Sequence, residues 1–102
     1  MRRLPTNREP THPGEMLLEE FMRPMGISQN RLARDVDVPP ARINDIIHGR
    51  RAITADTALR LAKYFGTSAE LWIGLQTEYE LRRARRETWP KVEGKIRPIK
   101  AA

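Results

Sequence analysis

Residues 28–48, which read SQNRLARDVDVPPARINDIIH, decide the fold of this chain. Ser28 is a typical helix N-cap residue, and apolar residues follow it at helical spacing. The pair Pro39-Pro40 cannot continue that helix, although proline is accepted in the first turn of a new one. The apolar positions before and after the prolines are Leu32, Ala33, Val36, Ile43, Ile46 and Ile47. We therefore expect two short helices, over about 28–35 and 40–48, joined by a tight turn.

Three further amphipathic segments surround this helix pair. They are expected over about 14–23, ending at Pro24 and Gly26, between Thr54 and Gly66, and from Ser68 until shortly before Pro90. The segment past Trp89, PKVEGKIRPIKAA, holds two prolines and a glycine and is expected to be irregular. Because no stretch alternates as a strand does, the expected fold class is all-α with about five helices.

The length of 102 residues suits one small domain. We expect a flexible segment over residues 1–12, a packed body over 13–81, and a basic helix end with an irregular tail over 82–102. Residues 1–81 hold 11 basic and 11 acidic side chains, whereas residues 82–102 hold eight basic and two acidic ones and carry the whole net charge of +6. The tail is either a solvated terminus that aids solubility or an arm that binds phosphate.

Composition and motifs exclude several classes of function. The chain has no cysteine, and therefore no disulfide and no thiolate nucleophile or thiolate-bound metal. No apolar run approaches the ~18 residues of a membrane-spanning helix, and no secretion signal is recognisable, so we expect a cytoplasmic protein without membrane contact. Catalytic constellations and phosphate-binding loops are not recognisable either, so we expect neither an enzyme nor a cofactor. His12 lies near Glu15 and Glu19, but a structural role at a helix start is favoured over a metal site.

The two short helices and their turn have the spacing of a helix-turn-helix. Residues 12–81 resemble the HigA (VapI) group of Xre/Cro-C1-type helix-turn-helix proteins, which are antitoxins of toxin–antitoxin modules. The segments that carry the resemblance are 12–15 (HPGE), 38–40 (VPP) with 43–44 (IN), 49–58 (GRRAITADTA) and 65–68 (FGTS), followed by Trp72, Leu75, Gln76 and Tyr79. The resemblance implies a five-helix, phage-repressor-like (lambda repressor-like) DNA-binding domain. It further implies a homodimer that represses its own operon by binding double-stranded operator DNA and that neutralises a HigB-type RNase toxin.

The resemblance also implies which residues meet DNA. They are Ser28 and Gln29 from the first motif helix, Pro40, Ala41, Arg42, Asn44 and Asp45 from the recognition helix, and Arg50 and Arg51 from the turn after it. Asn44 can pair with adenine, Ala41 can touch a thymine methyl group, and Asp45 can accept a hydrogen bond from cytosine. Arg42 can reach either a guanine or a phosphate.

Two positions depart from the family pattern. Asp37 stands where the turn often has glycine; aspartate enters the left-handed region better than most residues, but it brings a negative charge near the duplex. Pro39 and Pro40 remove two backbone donors from the start of the recognition helix, so phosphate binding depends more on arginines. Arg50 and Arg51 suit that role.

Two protein-binding surfaces are also predicted. Helical spacing places an apolar stripe of the last helix in the core or in a dimer interface rather than on a base-stacking platform. An acidic face of the first helix is an electrostatic candidate for a basic toxin. The predicted dimer interface is Trp72, Leu75 and Tyr79, and the predicted toxin-binding face is Glu15, Glu19 and Glu20.

Two other functions stay open at this point. One is a stand-alone repressor without a toxin partner. The other is a protein-interaction module whose DNA binding is vestigial, which the neutral balance of residues 1–81 favours.

Overall fold

The computed structural model describes residues 10–100, which form six helices and no strand. Most of the segment predicted to be flexible, residues 1–9, lies outside the described residues. The helices are α1 (residues 13–25), α2 (Gln29–Val36), α3 (Pro40–Ile47), α4 (Ala55–Phe65), α5 (Ala69–Glu87) and α6 (Trp89–Val92). The all-α prediction is confirmed, and within residues 10–100 no helix has the length and apolar character needed to cross a membrane.

Helix α1 continues through Pro24, where the sequence predicted its end. Its three parts are an α-helical start (Pro13–Met16), a wider π-helical turn (Leu17–Met22) and an α-helical end (Arg23–Met25). A proline inside an α-helix clashes with the carbonyl four residues before it. In the π turn the Arg23 N–H bonds to the Leu18 carbonyl five residues back, which widens the helix just before the proline. The helix therefore ends only at Gly26, whose φ is 65°.

Helices α2 and α3 match their predicted limits to within one residue. Ser28 caps α2 through its hydroxyl, which accepts a hydrogen bond from the Arg31 N–H at 3.1 Å. Pro39 is the N-cap of α3, and Pro40 lies in its first turn. Asp37 makes the turn between the two helices; within residues 10–100 it is the only non-glycine residue with a positive φ, 60°. The left-handed position is thus filled by aspartate, as expected.

The segment after Trp89 is more regular than predicted. Helix α6 is followed by a 3₁₀ turn, Glu93–Lys95. Pro90 lies in the first turn of α6, where the N–H that proline lacks has no intrahelical partner to lose. The prediction of an irregular tail is therefore wrong for residues 90–95 and agrees with the structure for residues 96–100, whereas residues 101 and 102 lie outside the described residues.

The core is formed by apolar side chains from α1 to α5. The large side chains that are completely buried include Leu17, Met22, Leu32, Ile43, Ile46, Ile53, Leu61 and Trp72. Trp72 packs against Phe21, with 4.9 Å between ring centroids, and its indole N–H donates to the Thr67 hydroxyl at 2.9 Å. The buried ring therefore leaves no polar atom without a partner.

Helix α1 approaches α3 closely at Gly14. A Cβ atom added there would lie 1.8 Å from the carbonyl oxygen of Ile46. Gly14 is inside a helix, so the constraint is space rather than backbone conformation. Helices α1 and α3 therefore pack backbone to backbone at this point, because Gly14 has no side chain to separate them.

His12 joins α1 to α5 and to the loop after α3. Its Nδ1 accepts a hydrogen bond from the Gly14 N–H at 2.9 Å and so caps α1. Its ring meets the Tyr79 ring edge-on, with 4.8 Å between centroids, and lies beside Gly49. Burial, and then the charge of Arg83, lower the pKa of His12 from its ordinary value. The structural role predicted for His12 at a helix start is thus confirmed.

We expect Gly14→Ala to destabilise the fold by at least about 2 kcal/mol, because the new methyl group forces α1 away from α3. Gly74→Ala is the matched control: nothing lies within 4 Å of its Cβ position inside α5, so the change should stabilise by about 0.5–1 kcal/mol. Urea unfolding of the two variants measures both effects. Equal free energies of unfolding for the two variants would show that α1 moves away from α3 without loss of stability.

We expect the free energy of unfolding to fall as the pH drops below 6.5, the ordinary histidine value, toward the lowered pKa of folded His12. In that window the unfolded chain binds a proton that the folded chain excludes, since protonated Nδ1 cannot accept from Gly14. His12→Asn keeps a good cap without titrating, so its stability should decline less over the same pH range. Parallel urea titrations test this, and identical declines would refute it.

Candidate nucleic-acid interface

Four of the side chains predicted to contact DNA form one hydrogen-bonded network. The Asn44 Nδ2 group donates to the Gln29 Oε1 atom at 3.0 Å, which joins α3 to the start of α2. Arg50 donates from Nη2 to the Asn44 Oδ1 atom at 2.9 Å and from Nε to an oxygen of Asp45 at 3.2 Å. The structure thus brings together the first motif helix, the recognition helix and the turn after it through their polar side chains.

The network leaves Asn44 able to bind a base. A carboxamide has two N–H donors and two acceptor lone pairs. Asn44 uses one donor toward Gln29 and one lone pair toward Arg50. One donor and one acceptor site remain, which is the combination that the adenine edge requires.

Arg42 is held by a carboxylate that is not among the predicted site residues. Its Nη1 donates to the Asp56 Oδ2 atom at 3.0 Å, and the same oxygen accepts from the Arg60 Nε at 2.9 Å. The hydrogen bond from Arg60, reinforced by both positive charges, lowers the pKa of Asp56. The i,i+4 spacing of Asp56 and Arg60 was a usable signal for their pair, whereas the contact between α3 and α4 has none.

Arg60 also supports the turn of the motif. Its Nη1 donates to the carbonyl oxygens of Val36 at 2.7 Å and of Asp37 at 2.9 Å. The last carbonyls of a helix have no intrahelical partner and carry partial negative charge, so a guanidinium there is favourable. Asp56 therefore connects Arg42 on the recognition helix to Arg60, whose guanidinium caps the turn.

The remaining predicted contacts lie next to the network. Pro40 and Ala41 are exposed in the first turn of α3, and Arg51 is exposed beside Arg50. Ser28 is exposed as well, with its hydroxyl already engaged in capping α2. Arg42 is the exception among the predicted residues, because its guanidinium is directed to α4.

The loop that carries Arg50 and Arg51 is fixed by α5. Gln76 is 7% exposed; its Oε1 accepts from the Ile53 N–H at 2.9 Å, and its Nε2 donates to Glu80 at 2.8 Å. No role of its own was predicted for Gln76. A polar residue on the buried side of an amphipathic helix was the signal available, because buried polar groups are nearly always hydrogen-bonded.

The predicted dimer stripe lies mostly inside the protein. Trp72 is completely buried among the aromatic residues of its own chain, so it does not belong to an interface between copies. Leu75 packs against the core, and Tyr79 lies between His12 and Arg83; both are half-buried. The apolar side chains that α5 and α6 do expose include Leu81 and Trp89, which line a groove of about 330 Å³.

The predicted toxin-binding face is open to solvent. Glu15, Glu19 and Glu20 are exposed on α1. Glu19 is bonded to Arg23 at 3.0 Å, one turn further along the helix.

Known proteins resemble this chain over most of its length. A family model described as "Helix-turn-helix" matches residues 18–72. Virulence-associated protein I of Dichelobacter nodosus is 51% identical over 76 residues, which are 74% of this chain and 70% of that protein.

Two solved structures extend the similarity to the three-dimensional fold. An addiction module antidote protein of the HigA family from Coxiella burnetii is 43% identical, with a TM-score of 0.84 over 90% of this chain and 100% of the other. The antitoxin HigA of Pseudomonas aeruginosa, solved with the higBA promoter, is 43% identical, with a TM-score of 0.85 over 89% of this chain and 99% of the other. The chain therefore belongs to the helix-turn-helix family, within the HigA and VapI group that its residues 12–81 resemble.

Proposed function

We propose that this chain is a sequence-specific DNA-binding antitoxin that represses its own operon. The observation that carries the proposal is the network of Gln29, Asn44, Asp45 and Arg50 across the adjoining starts of α2 and α3. A recognition helix enters the major groove with this end, and its first residues meet the base edges. The similarity to an antitoxin solved with promoter DNA supports the proposal.

Base reading and phosphate binding are divided between different residues. Asn44, Ala41 and Asp45 meet base edges, while Ser28, Gln29 and Pro40 position the two helix starts on the duplex. Arg50 and Arg51 bind phosphates and carry no sequence information. Arg42 contacts DNA only with the donors that its bond to Asp56 leaves available.

We further propose a homodimer, because one half-site buries too little surface for tight specific binding. Its two recognition helices meet half-sites about 34–36 Å apart. With Trp72 in the core, the dimer contact is assigned to Leu75 and Tyr79 together with the exposed groove of Leu81 and Trp89.

We expect Asn44→Ala to weaken binding to the chain's own upstream duplex by about 1–3 kcal/mol and to leave binding to a scrambled duplex unchanged, because only a base contact is lost. Thr77→Ala, an exposed polar-to-alanine change on α5, is the control and should bind both duplexes as the wild type does. Fluorescence anisotropy at two salt concentrations measures the affinities, and light scattering of the complex should give two chains per duplex.

Equal binding to both duplexes with a silent Asn44 variant would refute the proposal. It would favour the second candidate, a protein-interaction module with vestigial DNA binding. Two observations favour that candidate: Arg42 and Arg50 are already paired with aspartates, and residues 10–81 hold eight basic and ten acidic side chains. The salt dependence of binding distinguishes the two functions. Each phosphate contact contributes about −0.9 to the slope of log affinity against log salt concentration, whereas an apolar protein contact contributes almost nothing.

The partner proposed for the antitoxin activity is a HigB-type RNase toxin. A basic RNase is complementary in charge to the exposed carboxylates of α1, which supports that face as its site. A cytoplasmic location is part of the same proposal.

We expect Glu15→Lys/Glu20→Lys to abolish co-purification with the toxin encoded beside its own gene, because the substitutions reverse the charge that attracts it. The control is Glu70→Lys/Glu78→Lys, which makes the same charge change at exposed positions of α5 and should keep the toxin. Retention by both variants would exclude the α1 face as the site. Failure of the wild type to retain any toxin would leave a stand-alone repressor.

A further inference from the structure

The charge of the described residues differs sharply between two parts of the chain. Residues 10–81, which contain the helix-turn-helix and its supports, have eight basic and ten acidic side chains. Residues 82–100 have eight basic and two acidic side chains. A polyanion is therefore attracted by the second part and not by the overall charge of the first.

The contacts of α5 show where its basic end leaves the body. Gln76 bonds to Ile53, and Tyr79 meets His12, which lies beside Gly49. Helix α5 thus contacts one end of the loop that carries Arg50 and Arg51 directly, and the other end through His12. At 1.5 Å per residue, residues 82–87 lie about 9–17 Å beyond Gln76 along the helix axis. Residues 82–87 therefore continue the same helix from the point at which α5 is bonded to this loop.

The cations of the two parts also differ in their partners. On the recognition surface, Asp56 neutralises Arg42 at 3.0 Å and Asp45 neutralises Arg50 at 3.2 Å. In the basic part, Arg83 pairs with Glu87 at 3.4 Å. Within the described residues, no ion pair is formed by Arg82, Arg85, Lys91, Lys95, Arg97 or Lys100. These side chains can bind phosphate without first breaking a salt bridge.

We infer that the basic end of α5 together with α6 is a second DNA-binding surface, which binds the phosphate backbone of duplex DNA beside the half-site. The inference rests on the proposed function and supplies the electrostatic attraction that residues 10–81 lack. Phosphate contacts carry no sequence information, so this surface strengthens binding to the operator and to any other duplex by the same factor. Base reading by α3 and attraction by the basic end are therefore separable.

The test is Arg82→Gln/Lys91→Gln, since glutamine removes the charge and keeps good helix propensity. Binding is measured with a duplex of the chain's own upstream DNA and with a scrambled duplex of the same composition. Losing two phosphate contacts should make the log–log salt dependence shallower by about 1.8 and lower both affinities by the same factor, on the order of tenfold or more.

The matched control is Arg34→Gln/Lys63→Gln, which removes the same charge from the last turns of α2 and α4. It should keep the wild-type slope. The inference is overturned if both double variants change the salt dependence equally or if neither does. It is also overturned if light scattering shows that the variant has lost its dimer and this loss accounts for the weaker binding. Preferential binding of a single-stranded oligonucleotide over the duplex also overturns it. If the wild type does not prefer its upstream duplex, the proposed function fails, whereas a slope that depends on Arg82 and Lys91 still supports the second surface.

Discussion

Burial of Ile43 and Ile46 is the constraint on which the recognition surface depends. Helix α3 has only eight residues, and a helix of that length does not persist in water without tertiary packing. Both isoleucines are completely buried, and α1 adds a direct backbone contact at Gly14. Asn44 and Asp45 lie between them in the chain and therefore face away from the core. The packing of two apolar side chains thus sets the direction in which the polar ones point.

A second set of residues holds the polar surface without belonging to it. Arg60 fixes the carbonyls of the turn, Asp56 restrains Arg42, and Gln76 anchors the loop that follows the recognition helix. Each does so through a hydrogen bond to a backbone group or a charged side chain that would otherwise lack this partner. The positions of Arg42 and of the loop with Arg50 and Arg51 therefore depend on α4 and α5, outside the motif itself.

Local patterns predicted the local features of this fold well. N-cap residues, the paired prolines and the apolar period located α2 and α3, and the preference of aspartate for the left-handed region explained Asp37. The rule that proline ends a helix failed at Pro24, because a π turn made room for its ring. Helical spacing also could not separate a core position from an interface position, which is why Trp72 was misplaced. The contact between Arg42 and Asp56 joins two helices, and no pattern along one helix encodes it.

The shared carboxylate of Asp56 constrains how this protein can change its target sequence. Replacing Arg42 with an uncharged residue would leave Asp56 with Arg60 as its one remaining partner among the pairs described. Replacing Asp56 alone would leave Arg42 without this ion pair, and its charge would then favour every sequence alike. Under the proposed function, a new base contact from position 42 therefore calls for a compensating change at position 56. The two residues are expected to diverge as a pair, on different helices and 14 positions apart.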